Sequence, residues 1–234
     1  LRELEPHARG VQALHSSATG IIDFRSVVEK LAEVIQRQGG TILTKAKISR
    51  LVNRSKTCLV VTTLENYQAS LVINCAGLFA DRVAALSGIS PDLKIFPFRG
   101  EYYAIKPESR YLVKNLIYPV PDPQFPFLGV HFTREMDGNI EAGPNAVLAF
   151  AREGYRKLQF DLKDSWEMVS YPGFWRMAQK YWRQGFQEYY RSLNKLAFVR
   201  TLQKLVPSVT SSDLMPGDAG VRAMALHQNG DLLD

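Results

Sequence analysis

The sequence sets its few reactive side chains in patterned surroundings. His131 lies in Gly129-Val130-His131-Phe132-Thr133-Arg134, where strand alternation puts His131 and Thr133 on one face and Val130 and Phe132 on the other. A histidine with an ordinary pKa of about 6.5 on a polar strand face is a base near neutral pH. A structural histidine bonded to a neighbour fits the same pattern and is the simpler reading of these residues alone. His7, His15 and His227 lack even this context and read as structural. Arg222 interrupts the small, apolar stretch Gly220-Val221-Arg222-Ala223, which reads as a buried strand. A buried guanidinium needs an anion, either an internal carboxylate or a substrate carboxylate held by its two-pronged fork. Pro97-Phe98-Arg99-Gly100-Glu101-Tyr102-Tyr103 gathers charge and phenols around a glycine, and Arg99 with Glu101 reads equally well as an ion pair or as part of a site. Val72-Ile73-Asn74-Cys75-Ala76-Gly77 runs from an apolar segment into small residues at the mouth of a helix. Small residues there admit a ligand backbone, but they equally admit tight helix-strand packing. The sequence holds no G-x-G-x-x-G loop, the usual cradle for a dinucleotide pyrophosphate.

These residues must be positioned by elements that the patterns also predict. Residues 24–38 carry Val27, Val28, Leu31, Ala32, Val34 and Ile35 at helical spacing, with Asp23 as N-cap and Gly39-Gly40 as the stop. Three β-type segments follow at 41–51, 58–64 and 69–75, the last nearly all apolar and so expected to be buried on both faces. Gly77 then opens a second helix through Leu86, with Gly88 as its stop, and the order reads as half of a parallel α/β unit. Beyond Gly88 the pattern predicts antiparallel strands at 96–106, 115–120, 127–134 and 139–143, with turns at Asp122-Pro123 and Asp137-Gly138. Residues 163–206 turn helical, Pro172 opening one helix and Leu196, Val199, Leu202 and Leu205 striping another before Pro207. A strand over 221–226 then reaches the hairpin turn Asn229-Gly230. The expected division is 1–88, 89–206 and 207–234.

The 234 residues are 46% hydrophobic and 22% charged, an ordinary globular balance with room for one or two domains. No apolar run reaches the roughly 18 residues of a membrane span. The net charge of +6 favours anionic partners without choosing one. Arginines and aromatics interleaved between Tyr171 and Arg200 suit a nucleic-acid or membrane-surface face, but a solvated helix face opposite an aromatic core is the stronger expectation. Cys58 and Cys75, without CxxC spacing, suggest neither metal site nor disulfide and are expected to be buried free thiols in a reducing compartment. The chain starts at Leu1 without Met and stops just after a turn, so a piece of a longer protein is expected.

Taken together, several strings are specific. Gly20-Ile21-Ile22-Asp23-Phe24-Arg25, Asn74-Cys75-Ala76-Gly77-Leu78, Pro97-Phe98-Arg99-Gly100-Glu101-Tyr102, the run from Ile117 through Pro119-Val120-Pro121 to Thr133, Gly143-Pro144-Asn145-Ala146, Arg152-Glu153-Gly154-Tyr155 and Ala219-Gly220-Val221-Arg222-Ala223 resemble the L-2-hydroxyglutarate dehydrogenases. These are flavoproteins of the D-amino-acid-oxidase-like superfamily, and the resemblance covers essentially the whole chain in order.

The resemblance implies a mixed α/β and α+β fold: a partial, Rossmann-like FAD-binding domain (1–88 and 207–234) interleaved with an antiparallel-sheet substrate domain (89–206) with a helical insert. It implies that the phosphate loop belongs before Leu1 and a last flavin-contacting turn after Asp234, so that the 234 residues alone are expected to be inactive and to hold FAD poorly. The implied reaction is oxidation of an L-2-hydroxy acid, L-2-hydroxyglutarate to 2-oxoglutarate, by hydride transfer to flavin. The implied roles are His131 as base, Arg222 as the α-carboxylate clamp, and Tyr102 and Asn145 as pocket donors. The Ile48 backbone is implied near the adenine, Ala76 and Gly77 near the ribose-pyrophosphate, and Gly220 beside the cofactor. No metal and no nucleic acid are expected; the electron acceptor would be quinone-like or oxygen, and the location cytoplasmic, with peripheral membrane association as an option. The competing expectations are an amino-acid or amine oxidase of the same superfamily and a non-catalytic basic module with a decayed flavoprotein fold.

Overall fold

The computed structural model describes residues 1–121 and 129–233. The expected turn at Asp122-Pro123 and the start of the 127–134 strand fall outside the described residues. Helix α1 (Phe24–Arg37) forms where the spacing predicts. Asp23 caps it by accepting from the Arg25 backbone N–H at 3.0 Å and from the Ser26 hydroxyl. Strands β1 (Ile48–Asn53), β2 (Cys58–Thr62) and β3 (Asn66–Ala69) pair antiparallel in a three-stranded sheet, so the parallel pairing read into this region is absent from the described residues.

The expected buried strand at 69–75 is also corrected. Only Ala69 belongs to a strand; Leu71 and Ile73 are 73% and 75% exposed, and Cys75, expected to be buried like Cys58, is exposed. A strand needs neighbours for its backbone groups, and none of the described residues pairs with 70–75. Asn74 instead bonds locally, its amide donating to the Ala80 carbonyl at 2.8 Å and accepting from the Ala76 N–H at 3.1 Å. Such side-chain bonds compete with a ladder and turn the chain into the 3-10 turn Gly77–Phe79 and helix α2 (Ala80–Leu86).

The six-stranded sheet comprises β4 (Leu93–Ile105), β5 (His131–Arg134), β6 (Ile140–Gly143), β7 (Val147–Leu148), β8 (Leu214–His227) and β9 (Leu232–Leu233). Its order is β5-β6-β4-β8-β9, with β7 also paired to β4, and its named strands pair antiparallel. The predicted 115–120 strand reduces to one bridge, Ile117 with Phe132. The predicted 221–226 strand grows to the 14 residues of β8, because the long β4 offers it a partner from Leu93 to Ile105. Residues 207–234 therefore share a sheet with 89–206. Gly230, at φ 91°, closes the β8–β9 hairpin at the predicted turn.

Helices α3 (Leu162–Val169), α4 (Pro172–Leu193) and α5 (Lys195–Leu202) pack against this sheet. Phe132, Ile140 and Ala142 from β5 and β6 bury against Phe198, Val199 and Leu202 of α5, while Phe96 and Leu226 bury against Met168, Tyr171 and Met177. Leu196, predicted in the α5 stripe, is exposed, and Phe198 takes the inward position. The aromatic face expected inside α4 is split: Tyr171 is buried, but Trp175, Trp182, Phe186 and Tyr190 are exposed. Among the described residues no helix is long and apolar enough to cross a membrane.

A charge cluster fastens α2 to the sheet and to α3. Arg152, nearly fully buried, bonds both oxygens of Asp81 and the Leu78 carbonyl. Asp81 also accepts from the Ile95 N–H at 3.0 Å, and Arg82 bonds Asp164 and Glu167. Burial works to raise the Asp81 carboxyl pKa, but the Arg152 and backbone donors outweigh it and hold the group below its ordinary value. Asp81→Asn leaves Arg152 buried without its full counter-charge and should cost about 3–5 kcal/mol in urea unfolding at pH 7. Because the folded pKa is depressed, the contribution of the Asp81 carboxylate should be present above the unfolded value, about 3.9, and lost as pH falls below it. An unchanged urea midpoint in the variant would mean the cluster is dispensable.

Candidate active site

Strand alternation divides β4 between two environments. Arg99, Glu101 and Tyr103 turn toward the helices, and Gly100 and Tyr102 turn toward a cavity of about 480 Å³ on the other face. Five of the predicted site residues line it: His131, Arg222, Tyr102, Asn145 and Gly220. Ile48, Ala76 and Gly77 do not. Ile48 lies in β1, while Ala76 and Gly77 sit at the 3-10 turn that packs on β4 and β8. A larger hollow of about 760 Å³, between the first ten residues and Pro207, contains none of the predicted site residues.

The register of β8 on β4 arranges the floor. Arg222 stands opposite Phe98, and Gly100 stands opposite Gly220. Tyr102 lies four residues along β4 from Phe98, about 13 Å of strand. The cavity thus has a cation at one end, phenol and imidazole at the other, and a pair of glycines between them. A Cβ on Gly220 would meet nothing within 4 Å, so the space above this glycine is open, whereas a Cβ on Gly100 would stand 3.0 Å from the Pro144 ring that covers it. Gly143 makes the far end possible: at φ 152° its backbone lies so close to Tyr102 that a Cβ would come within 3.0 Å of the Tyr102 ring and 2.9 Å of the Glu101 carbonyl oxygen.

Arg222 was expected on a buried strand; it is exposed, because among the described residues no helix lies over the middle of β8. Among the described residues it is the one permanent cation lining the cavity, and its field acts to lower the Tyr102 pKa. Burial dominates at Tyr102, with Glu141 adding to it, and the phenol is pushed above its ordinary value. Tyr102 is therefore a proton donor in hydrogen bonds at neutral pH.

Asn145 is buried and committed to Glu101: its amide oxygen accepts from the Glu101 N–H at 2.9 Å, and its NH₂ donates to the carboxylate at 3.1 Å. Its first task is to hold the cavity wall. Arg99 and Glu101, ambiguous in the sequence, form a buried ion pair at 2.8 Å behind the floor.

His131 is half-buried in β5. Its Nδ1 lies 3.3 Å from the Gly129 carbonyl oxygen. A carbonyl only accepts, so Nδ1 carries the hydrogen and Nε2 keeps its lone pair. Burial pushes the imidazole pKa down, with the Gly129 bond opposing in part, so the ring is neutral at physiological pH. Tyr118, which no sequence pattern singled out, stacks on this imidazole with centroids 4.1 Å apart and planes 15° apart. The signal was faint: a tyrosine beside Pro119 and Pro121, on a segment whose pairing with β5 becomes visible only in the fold.

Nuclear magnetic resonance of the full-length protein that carries this chain should give His131 a pKa below about 6.5 and nitrogen shifts of a ring protonated at Nδ1 alone. A titration at or above that value, or an Nε2-protonated ring, would remove the free lone pair from the site.

Residues 1–230 match the family described as FAD dependent oxidoreductase. The chain is 51% identical over 235 residues to the L-2-hydroxyglutarate dehydrogenase of Indibacter alkaliphilus, covering all of this chain and 59% of that protein. It is 44% identical over 236 residues to the L-2-hydroxyglutarate dehydrogenase of Escherichia coli K12, covering all of this chain and 56% of that protein. The chain thus spans little more than half the length of these relatives. Among solved structures, an FAD-bound L-alpha-glycerophosphate oxidase from Mycoplasma pneumoniae superposes with a TM-score of 0.64 at 20% identity, over 96% of this chain and 51% of the other.

Proposed function

From the premise that this chain belongs to the FAD dependent oxidoreductase family, we propose that it supplies the substrate side of an enzyme oxidising an L-2-hydroxy acid, specifically L-2-hydroxyglutarate to 2-oxoglutarate. The observation that carries this reading is a neutral imidazole, its Nδ1 on the Gly129 carbonyl and its Nε2 without a hydrogen-bond partner among the described residues, in the same cavity as an arginine. A hydroxy acid needs a base for its hydroxyl proton and a clamp for its carboxylate. An amine substrate reacts as its own free base and has less use for such a histidine. The relatives named above carry the same activity in their names.

On this reading Arg222 holds the α-carboxylate by its two-pronged fork. Tyr102 donates a hydrogen bond to the substrate, and Asn145 keeps the wall in place with its amide on Glu101. His131 takes the hydroxyl proton at Nε2. The residues present fit one side of a planar cofactor at Gly220, above which the space is open, while Pro144 closes the floor over the neighbouring Gly100. When bound, FAD supplies the hydride acceptor. Ile48, Ala76 and Gly77 take the more distant parts of the cofactor. Residues 1–88 and 207–234 then form the flavin side and 89–206 the substrate side, with β4 and β8 shared between them.

In the full-length protein, Arg222→Lys should lower kcat/KM roughly ten- to over a hundred-fold, the equivalent of about 1.5–3 kcal/mol for a lost charge-assisted bond, with flavin content and folding retained. His131→Asn should slow flavin reduction by about a hundred- to ten-thousand-fold and flatten its rise with pH. Stopped-flow flavin bleaching with L-2-hydroxyglutarate measures both. A His131→Asn protein with the wild-type rate and pH profile would favour the amine-oxidase reading, and loss of flavin in Arg222→Lys would make that arginine structural.

We further infer that the electron acceptor is quinone-like or oxygen and that α4 supplies a peripheral membrane contact. Trp175, Trp182, Phe186 and Leu193 recur on this helix at exposed positions, with Arg176, Lys180 and Arg183 between them. Exposed tryptophan with arginine and lysine suits an anionic lipid surface. The full-length protein should sediment with phosphatidylglycerol vesicles and less with phosphatidylcholine, and Trp182→Ser with Phe186→Ser should weaken that binding. Equal recovery with and without vesicles would reject the contact.

A further inference from the structure

We propose that Tyr118 is the positioning residue for His131, holding the imidazole by a cross-strand ring stack so that Nε2 is the nitrogen left for substrate. The inference rests on the reading of His131 as the base. Its geometry is independent of that reading. Ile117 and Phe132 exchange both backbone hydrogen bonds, each 2.9 Å. In an antiparallel pairing this makes Tyr118 and His131 direct opposites on one face, while Ile117 and Phe132 turn to the core on the other. The rings meet at 4.1 Å and 15°, and the Tyr118 hydroxyl is pinned to Thr133 Oγ1 at 2.9 Å.

The imidazole is thus fixed twice. Gly129 takes the Nδ1 edge and sets the tautomer, and Tyr118 takes one face and sets the ring plane. A ring held only by a 3.3 Å bond at one edge would swing about its χ2 axis, where the torsional wells are broad. Proton transfer needs the lone pair aimed at the hydroxyl. Tyr118 also keeps water from one face of the ring. Thr133 completes the arrangement from the polar face that alternation predicted for it.

The stack predicts a graded response to substitution. Tyr118→Phe keeps the ring and loses only the bond to Thr133, whereas Tyr118→Leu removes the stack. Tyr118 is mostly exposed, so neither change opens a cavity in the core. The other titratable groups of the cavity and its sheet, Tyr102 on β4, Glu141 on β6 and Arg222 on β8, stay in place in both variants.

The test uses the full-length flavoprotein and two readouts. In Tyr118→Leu the His131 titration, followed by NMR, should move up toward its ordinary value, and flavin reduction should slow about ten- to a hundred-fold with KM little changed. Tyr118→Phe should restore both the titration and most of the rate. If Tyr118→Leu leaves the His131 titration at its wild-type position, or if Tyr118→Phe is as damaged as Tyr118→Leu, the positioning role is wrong. Failure of the base reading looks different: the titration shifts in Tyr118→Leu as expected, but His131→Asn keeps its activity.

Discussion

The cavity depends on one buried ion pair behind its floor. Glu101 receives two donors from Arg99, at 3.0 and 2.8 Å, together with Ser192 of α4 at 2.7 Å, the Asn145 amide at 3.1 Å and Lys157 at 3.4 Å. Arg99 spends its remaining donors on the carbonyls of Gly154 and Arg156. Burying two charges is expensive, and the cost is met only where every lone pair and proton finds a partner. Here the partners come from α4, the loop at 144–146 and the loop at 154–157, so satisfying the pair forces those three segments onto β4. Burial tends to raise the Glu101 pKa, but Ser192, Arg99 and Asn145 overcome it and keep the carboxylate ionised. Since Arg99 and Glu101 flank Gly100, fixing their side of the strand also fixes the glycine floor on the other.

Electrostatics divides the labour across that floor. Arg222 is the permanent positive charge, Tyr102 stays protonated because burial and Glu141 oppose its ionisation, and His131 stays neutral because burial opposes its protonation. The three groups therefore hold one protonation state each at neutral pH: cation, neutral donor, neutral acceptor. Separation along β4 keeps the cation away from the imidazole, where its field would otherwise weaken the ring's hold on a proton.

Local signals in the sequence were faithful where the chain satisfies itself. Asp23 before α1, Pro172 opening α4, and Asn229-Gly230 between β8 and β9 all act within a few residues, and each element begins or turns where its cap requires. The two faces of β5 were legible for the same reason, since alternation needs no knowledge of the partner strand. Readings that needed a partner were less secure. An apolar run at 69–75 is a strand only if something pairs with it, and Asn74 diverts it instead. Arg222 looked buried because its neighbours are small and apolar, but burial requires a covering layer and the middle of β8 has none among the described residues. Arg99 and Glu101 were undecidable in the sequence because the deciding partners, Ser192 and Asn145, lie 91 and 44 residues from Glu101.

What the fold contributes to the chemistry is register. Arg222 and His131 stand on strands to either side of β4: Arg222 on β8, and His131 on β5, reached through β6. A slip of one residue in either pairing turns every side chain of that strand to the opposite face, which would carry Arg222 or His131 out of the cavity altogether. The pairing is held against slippage by buried apolar contacts: Phe132, Ile140 and Ala142 key β5 and β6 to α5 from the face opposite the cavity, and Met224 and Leu226, on the same face of β8 as Arg222, bury the end of that strand. The apolar residues that carry no chemistry thus determine which side chains can, and the cavity face is left free to carry glycines, phenols and an imidazole that would be poor choices for a core. The shift of register between Glu101 and Tyr103 falls at the Tyr102 end of the site. There β8 sets two residues, Gly217 and Asp218, against Tyr102, and Gly217 lies where a Cβ would come within 3.0 Å of the Tyr102 carbonyl oxygen. The position of Tyr102 relative to Arg222 is therefore set by backbone pairing and by two glycines: Gly143, whose missing side chain leaves the phenol ring its place, and Gly217, whose missing side chain lets β8 lie close against the Tyr102 backbone.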